Sequence, residues 1–183
     1  FNPLAVRRRD GWSGTGPRGG GFVEQGWSHG PLTLTAGARF DGFTLAGPPA
    51  ISPHASAMLR VAARTRLQLA WSQAVQYPAM MPLLIQNMGD PRLLPERANH
   101  TIAALEQQLN DRTRIRAEVF YRADRDLITQ PLLEPRMLAN GQIFAPPLNP
   151  LYRNTVRGSA RGVEVFLQRR TANRLSGWVS YAY

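Results

Sequence analysis

The residues able to do chemistry are few in kind and scattered in place. His29, His54 and His100 fall in separate segments without metal-ligand spacing, so solvated or hydrogen-bonded imidazoles account for them, and no metal or other cofactor is expected. Cysteine is absent, which excludes disulfides, thiolate ligands and a thiol nucleophile. Neither a Gly-x-Ser-x-Gly elbow nor a phosphate-cradling glycine loop occurs. Glu106, Glu118 and Glu164 could in principle supply an acid–base pair, but each stands among arginines, the pattern of structural ion pairs. Nothing here argues for catalysis.

The charge balance is one-sided. Lysine is absent, so all 22 basic residues are arginines and the formal charge is +10. Nucleic acid or anionic head groups are the partners such a charge can serve, but the arginines run along the whole chain and form no single stripe. A guanidinium bias of composition is the plainer account, and no nucleic-acid partner is expected. With 43% hydrophobic residues the chain can build an ordinary core. No apolar run reaches the ~18 residues of a spanning helix, yet a spanning β-strand needs only about 9–11. The first residue is Phe1, with neither an initiator Met nor a signal peptide, so a mature form or a fragment is expected.

The elements that must position these residues are strands. Leu32, Leu34, Ala36, Ala38 and Phe40 alternate with Thr33, Thr35, Gly37, Arg39 and Asp41. Period 2 sends the two sets to opposite faces. The same alternation runs through Thr101–Leu109 and Ile115–Arg122, joined by a tight turn at Asn110-Asp111-Arg112. Further strands are predicted over Gly21–Ser28, His54–Ala63, Leu67–Ser72, Arg161–Arg169 and Arg174–Tyr183, eight in all. Residues 1–20, with Arg7-Arg8-Arg9 and a glycine-rich run, read as an irregular segment before a β-region over 21–183. Leu45–Pro53 reads as a loop, and Pro78–Arg97 and Thr129–Thr155 as long Pro-rich connections. Connections therefore alternate short and long, the arrangement of an up-and-down barrel. Trp71, Tyr77, Phe120, Tyr121, Tyr181 and Tyr183 fall near strand ends, where an aromatic girdle would lie.

Several pieces in order resemble the barrel of TonB-dependent outer-membrane receptors. They are Gly89-Asp-Pro-Arg-Leu-Leu-Pro-Glu96, Ala104-Leu-Glu-Gln107 (with Ala where Gly is usual), Phe120-Tyr121 through Asp126-Leu127-Ile128, and Arg161-Gly162-Val163-Glu164. The resemblance implies an all-β, antiparallel up-and-down transmembrane barrel, of which about eight strands are present here. It also implies a Gram-negative outer-membrane location with surrounding lipid, a plug domain of the same receptor, and TonB as the energising partner, both outside this chain. The implied activity is uptake of a scarce nutrient of the siderophore, cobalamin or oligosaccharide class. On that reading Arg39, Asp41, Glu106, Glu118, Arg122 and Glu164 face the lumen. Asn87, Asp90, Arg92, Arg136, Asn140, Gln142 and Arg153, on long loops, are the candidate ligand contacts. Periodicity alone leaves two rivals open: a small closed eight-stranded outer-membrane barrel with a structural or adhesive role, and a soluble basic β-domain binding nucleic acid.

Overall fold

The computed structural model describes residues 11–86, 88–131, 134–145, 151–172 and 175–183. In chain order the elements are β1 (Arg18–His29), β2 (Leu32–Phe43), β3 (Ala50–Ala62), β4 (Thr65–Gln76), α1 (Met80–Leu84), β5 (Glu96–Asn110), β6 (Thr113–Thr129), β7 (Arg136–Met137), β8 (Ile143–Phe144), β9 (Arg153–Ala172) and β10 (Leu175–Ala182). Eight of them form one antiparallel sheet in the order β1-β2-β3-β4-β5-β6-β9-β10, and β7 with β8 makes a separate small hairpin. Each long strand pairs with its neighbour in sequence, the up-and-down pattern that the alternation implied. β1 and β10 do not pair, so among the described residues the sheet is open, part of a barrel. The pairing of first and last strands that a small closed barrel requires is not formed.

Residues 30–31, 63–64 and 111–112 are tight turns at one end of the sheet. At the β5–β6 turn Asn110 Oδ1 accepts the Arg112 N–H at 3.0 Å, an Asx turn that locks the hairpin. Residues 44–49, 77–95 and 130–152 connect strands at the other end. Strands are longer than the alternation predicted. β1 begins at Arg18, inside the segment expected to be irregular, and Arg7-Arg8-Arg9 lie outside the described residues. β3 begins at Ala50 and carries Pro53, where a loop was expected. Proline is tolerated because pairing to β4 starts only at His54, so the missing N–H sits at the margin of that ladder. β6 and β9 extend into the expected Thr129–Thr155 loop, and α1 occupies part of the expected Pro78–Arg97 loop.

Register sets the two faces. Trp27, Leu34, Ala57, Leu69, Ala103, Val119 and Val163 stand opposite one another across seven strands. Stepping by two keeps to this apolar face, and the intervening residues make the other. Asp41, Ala50 and Ala104 are the sheet's buried side chains, and all three belong to the second face. Side chains converge on the inside of a curved sheet, so the polar face is the concave one.

The hydrophobic core lies at the long-connection end of the sheet, formed mostly by the connections and the strand ends they cover. Ala46, Ala50, Tyr77, Leu83, Leu93 and Tyr152 are buried there, with Phe43, Leu45, Val75, Leu84, Ile85 and Ile128 packed around them. Tyr77 is its polar pin: its hydroxyl lies 3.0 Å from the Asp41 carbonyl and 2.9 Å from that of Pro48, and its ring meets Phe43 edge-on. A second tie is Asn154, whose amide exchanges hydrogen bonds with both backbone groups of Leu94 (2.8 and 3.0 Å) and also donates to the Asp126 carbonyl. Asp126 has φ 59°, at a bulge that leaves the Ile128 N–H free to meet Glu96 Oε1 at 2.8 Å.

The aromatic girdle is corrected in two places. Tyr77 is a core residue, 3% exposed, because its hydroxyl finds buried carbonyl partners. Phe120 lies on the concave face over Gly162, where an added Cβ would come within 2.9 Å of its ring. Trp71, Tyr121, Tyr181 and Tyr183 remain exposed on the apolar face. Tyr77→Phe leaves buried acceptors short of a donor, and is expected to cost about 1–3 kcal/mol. Thermal unfolding in detergent micelles measures it, with faster proteolysis of the 77–95 segment as the accompanying sign.

Candidate functional site

All six charged residues expected on the lumen wall, Arg39, Asp41, Glu106, Glu118, Arg122 and Glu164, occur on the concave face. Most are neutralised within that face. Arg39 grips Asp41 with two bonds of 2.7 and 2.8 Å, and Arg122 meets Asp124 at 2.7 Å. Arg116 holds Glu118 at 2.8 Å and reaches Gln68 at 3.0 Å. Glu106 lies between Arg66 (3.3 Å) and Arg114 (3.5 Å). Glu164 differs: it stands directly opposite Glu118 and makes no ion pair among the described residues. Solvent-screened pairs of this kind contribute little to stability. Their effect is to fix a polar, mixed-sign wall rather than to hold the sheet together.

One row of this face was hidden from the sequence. Glu24, Gly37, His54, Ser72, His100 and Arg122 stand opposite one another across six strands. His54 Nε2 reaches over β2 to Glu24 Oε2 at 2.9 Å. Gly37 makes that reach possible, because a Cβ there would lie 2.8 Å from the imidazole. His54 and His100, unrelated by spacing, thus flank Ser72 on one surface. His100 meets Phe120 edge-on at 6.0 Å. No signal in the sequence could have found this row, since each member comes from a different strand. Among the described residues no group of three metal-binding side chains comes together. A shallow recess beside the row is lined by Arg18, Phe22, Arg39, Ser52 and His54.

The loop candidates fall into two kinds. Asp90 and Arg92 bind each other, with guanidinium–carboxylate bonds of 3.0 and 3.2 Å and the Arg92 N–H on Asp90 Oδ1 at 2.9 Å. Asn140 and Gln142 likewise close their own turn: Asn140 Nδ2 donates to Gln142 Oε1 at 3.0 Å, and the Gln142 N–H donates to Asn140 Oδ1 at 3.1 Å. Arg136 is exposed on β7, and neither it nor Arg153 makes a side-chain hydrogen bond or ion pair among the described residues. Arg153 is the first residue of β9 and not a loop residue, because the ladder with β6 runs on to Thr129↔Arg153. Asn87 lies outside the described residues.

The fold and its two-faced wall define the class, part of a transmembrane-type β-barrel. The family model described as "TonB dependent receptor-like, beta-barrel" matches residues 2–183. The chain belongs to that family, whose members are outer-membrane proteins of Gram-negative bacteria. Among solved structures it is similar to a mutant of the ferric enterobactin receptor PfeA of Pseudomonas aeruginosa, with a TM-score of 0.73 at 18% identity over 92% of this chain and 26% of that one. The siderophore receptor PirA of Acinetobacter baumannii gives 0.69 at 17% identity, over 84% of this chain and 26% of that one. The FrpB iron transporter of Neisseria meningitidis gives 0.68 at 15% identity, over 92% and 24%. The chain thus spans about a quarter of the length of these structures. No curated protein sequence matches it.

The Asp90 pair makes a pH prediction. The Arg92 guanidinium, then the Arg92 N–H, hold the Asp90 carboxyl below the ordinary carboxylate range, against a smaller opposing effect of burial. A depressed folded value means the carboxylate stabilises the loop above the unfolded Asp value of about 4, and this is lost as pH falls through the lower folded value. Amide protection factors at residues 89, 90, 92 and 93, taken relative to the intrinsic exchange rate at each pH, are expected to fall on acidification through that range, and Asp90→Asn to remove this fall.

Proposed function

We propose that this chain forms part of the barrel wall of an outer-membrane uptake receptor for a ferric siderophore, energised through TonB and a plug domain outside the residues present here. The observation that carries this reading is the division of one continuous sheet into an apolar face and an ion-paired concave face, with tight turns at one end and folded connections at the other. In lipid every backbone polar group needs a partner, and a ladder that closes around a lumen provides one for each. The apolar face then meets lipid, the concave face lines the lumen, and the long connections face the outside. Three similar structures, a ferric enterobactin receptor, a siderophore receptor and an iron transporter, support the iron–siderophore class over cobalamin or oligosaccharide.

On this reading the protein binds and passes its ligand without altering it. Ferric siderophores are commonly anionic, and the unpaired guanidinium groups of Arg136 and Arg153 are the proposed contacts from the outer side. Asp90, Arg92, Asn140 and Gln142 serve chiefly to hold the connections that present them. The domain reading keeps the barrel region at residues 21–183, its first strand reaching back to Arg18.

The test is growth of a strain lacking the receptor under iron limitation, with single siderophores supplied. Restoration by the full-length receptor for one siderophore, dependent on TonB, is the expected result. With Arg136→Ala and Arg153→Ala together, the concentration needed for half-maximal growth should rise by about tenfold, the loss of one or two charge-assisted hydrogen bonds. Growth indifferent to every iron complex but responsive to cobalamin or an oligosaccharide would reassign the ligand.

A further inference from the structure

The apolar face carries a charge cluster that the lumen does not use. Arg97 and Arg125 are direct cross-strand partners on β5 and β6. Arg161 stands opposite Tyr121 on the same face, and Arg157 follows four residues nearer the long-connection end of β9. Like charges placed directly opposite each other on a sheet repel, so this pairing needs an anion nearby. The protein supplies none: among the described residues no ion pair or side-chain hydrogen bond involves Arg97, Arg125, Arg157 or Arg161. Every strand carboxylate except Asp126 lies on the concave face, and Asp126, in the β6 bulge, pairs with none of the four. Arg125, Arg157 and Arg161 are exposed, and Arg97 is half-buried.

Depth gives the cluster its meaning. Counted from the tight-turn end, Arg161 stands 11 residues up β9, Arg125 12 residues up β6 and Arg97 13 residues up β5. At ~3.3 Å per residue and ~45° tilt these are heights of about 25–30 Å, at or just above the margin of a ~25 Å apolar band. Below them the face is Leu69, Ala103, Leu105, Ala117, Val119 and Val163, and its next arginine, Arg169, lies at the opposite, tight-turn margin. A guanidinium at that margin turns its head to the polar side, where phosphate oxygens accept its forked donors.

We infer that Arg97, Arg125, Arg157 and Arg161 form a binding site for a phosphate-bearing lipid headgroup in the leaflet on the long-connection side. This rests on the receptor reading insofar as the sheet must sit in a membrane. One phosphate between Arg97 and Arg125 relieves their repulsion, and Arg157 and Arg161 reach a second phosphate or the same headgroup from β9.

The experiment uses the full-length receptor, extracted from its own membrane and carried through detergent exchange, with native mass spectrometry and phosphorus analysis as readouts. The unsubstituted receptor should retain a phosphorylated lipid, and Arg97→Gln with Arg125→Gln should reduce that retention by about tenfold or more. Arg97→Lys with Arg125→Lys should keep most of it. Heat-modifiable gel migration and membrane fractionation report folding and insertion of each variant separately, and Arg157→Gln with Arg161→Gln gives a second pair should the first not fold. Equal lipid retention by a folded, inserted Gln variant overturns the site, as does retention of inorganic phosphate or an acidic protein in place of lipid. If the unsubstituted receptor fails to fractionate with membranes, the receptor reading itself falls, which is a different result from lipid-free insertion.

Discussion

The backbone ladder is the constraint on which the rest of this structure depends. Side chains alternate with period 2, so a slip of one residue between any two strands would turn an entire strand inside out. In β5 that slip would exchange Leu105 for Glu106, and in β6 Val119 for Glu118. The cost would be carboxylates in an apolar environment and leucines against a charged wall. Register is therefore held by the contrast between the faces, and reinforced at the tight turns by devices such as the Asn110–Arg112 Asx turn.

The sheet by itself buries little. Its side chains are mostly half-exposed, and close packing occurs where Tyr77, Leu83, Leu93 and Tyr152 gather beyond the strand ends. That distribution fits a wall whose apolar face is covered by lipid, since a soluble sandwich would place its core under the apolar face. It also explains why the long connections can be ordered. Tyr77 and Asn154 tie connections and strands together through the carbonyls of Asp41, Pro48, Leu94 and Asp126, and α1 contributes Leu83 to the same cluster. The surface presented at that end is thus a folded platform, from which Arg136 and Arg153 project.

Charge is sorted with equal consistency. The strand carboxylates outside the Asp126 bulge lie on the concave face, where Arg39, Arg66, Arg114, Arg116 and Arg122 meet Asp41, Glu106, Glu118 and Asp124. Of the arginines on the apolar face, Arg169 stands at the tight-turn end of β9, and Arg97, Arg125, Arg157 and Arg161 gather toward the long-connection ends of β5, β6 and β9. An even spread of arginine along the sequence becomes two separate populations once the strands are paired, one on the concave face with the carboxylates and one on the apolar face without them.

Much of the fold was legible in the sequence alone. Alternation in Leu32–Asp41, Thr101–Leu109 and Ile115–Arg122 determined the strands and their faces, because side-chain direction in a strand is a local property. The short and long spacing of turn residues determined the up-and-down order for the same reason. Strand ends were less legible: β3 runs through Pro53 and β9 begins at Arg153, because ladder length depends on the neighbouring strand and not on the residues themselves. Tyr77 and Phe120 looked like girdle aromatics and are not, since burial and facing come from partners far along the chain. The Arg97–Arg125 opposition follows from the β5–β6 turn, but the His54–Ser72–His100 row belongs to tertiary structure, because Ser72 and His100 are joined only across the long 77–95 connection. Registers between strands tens of residues apart decide which side chains become neighbours, and no local pattern encodes that number.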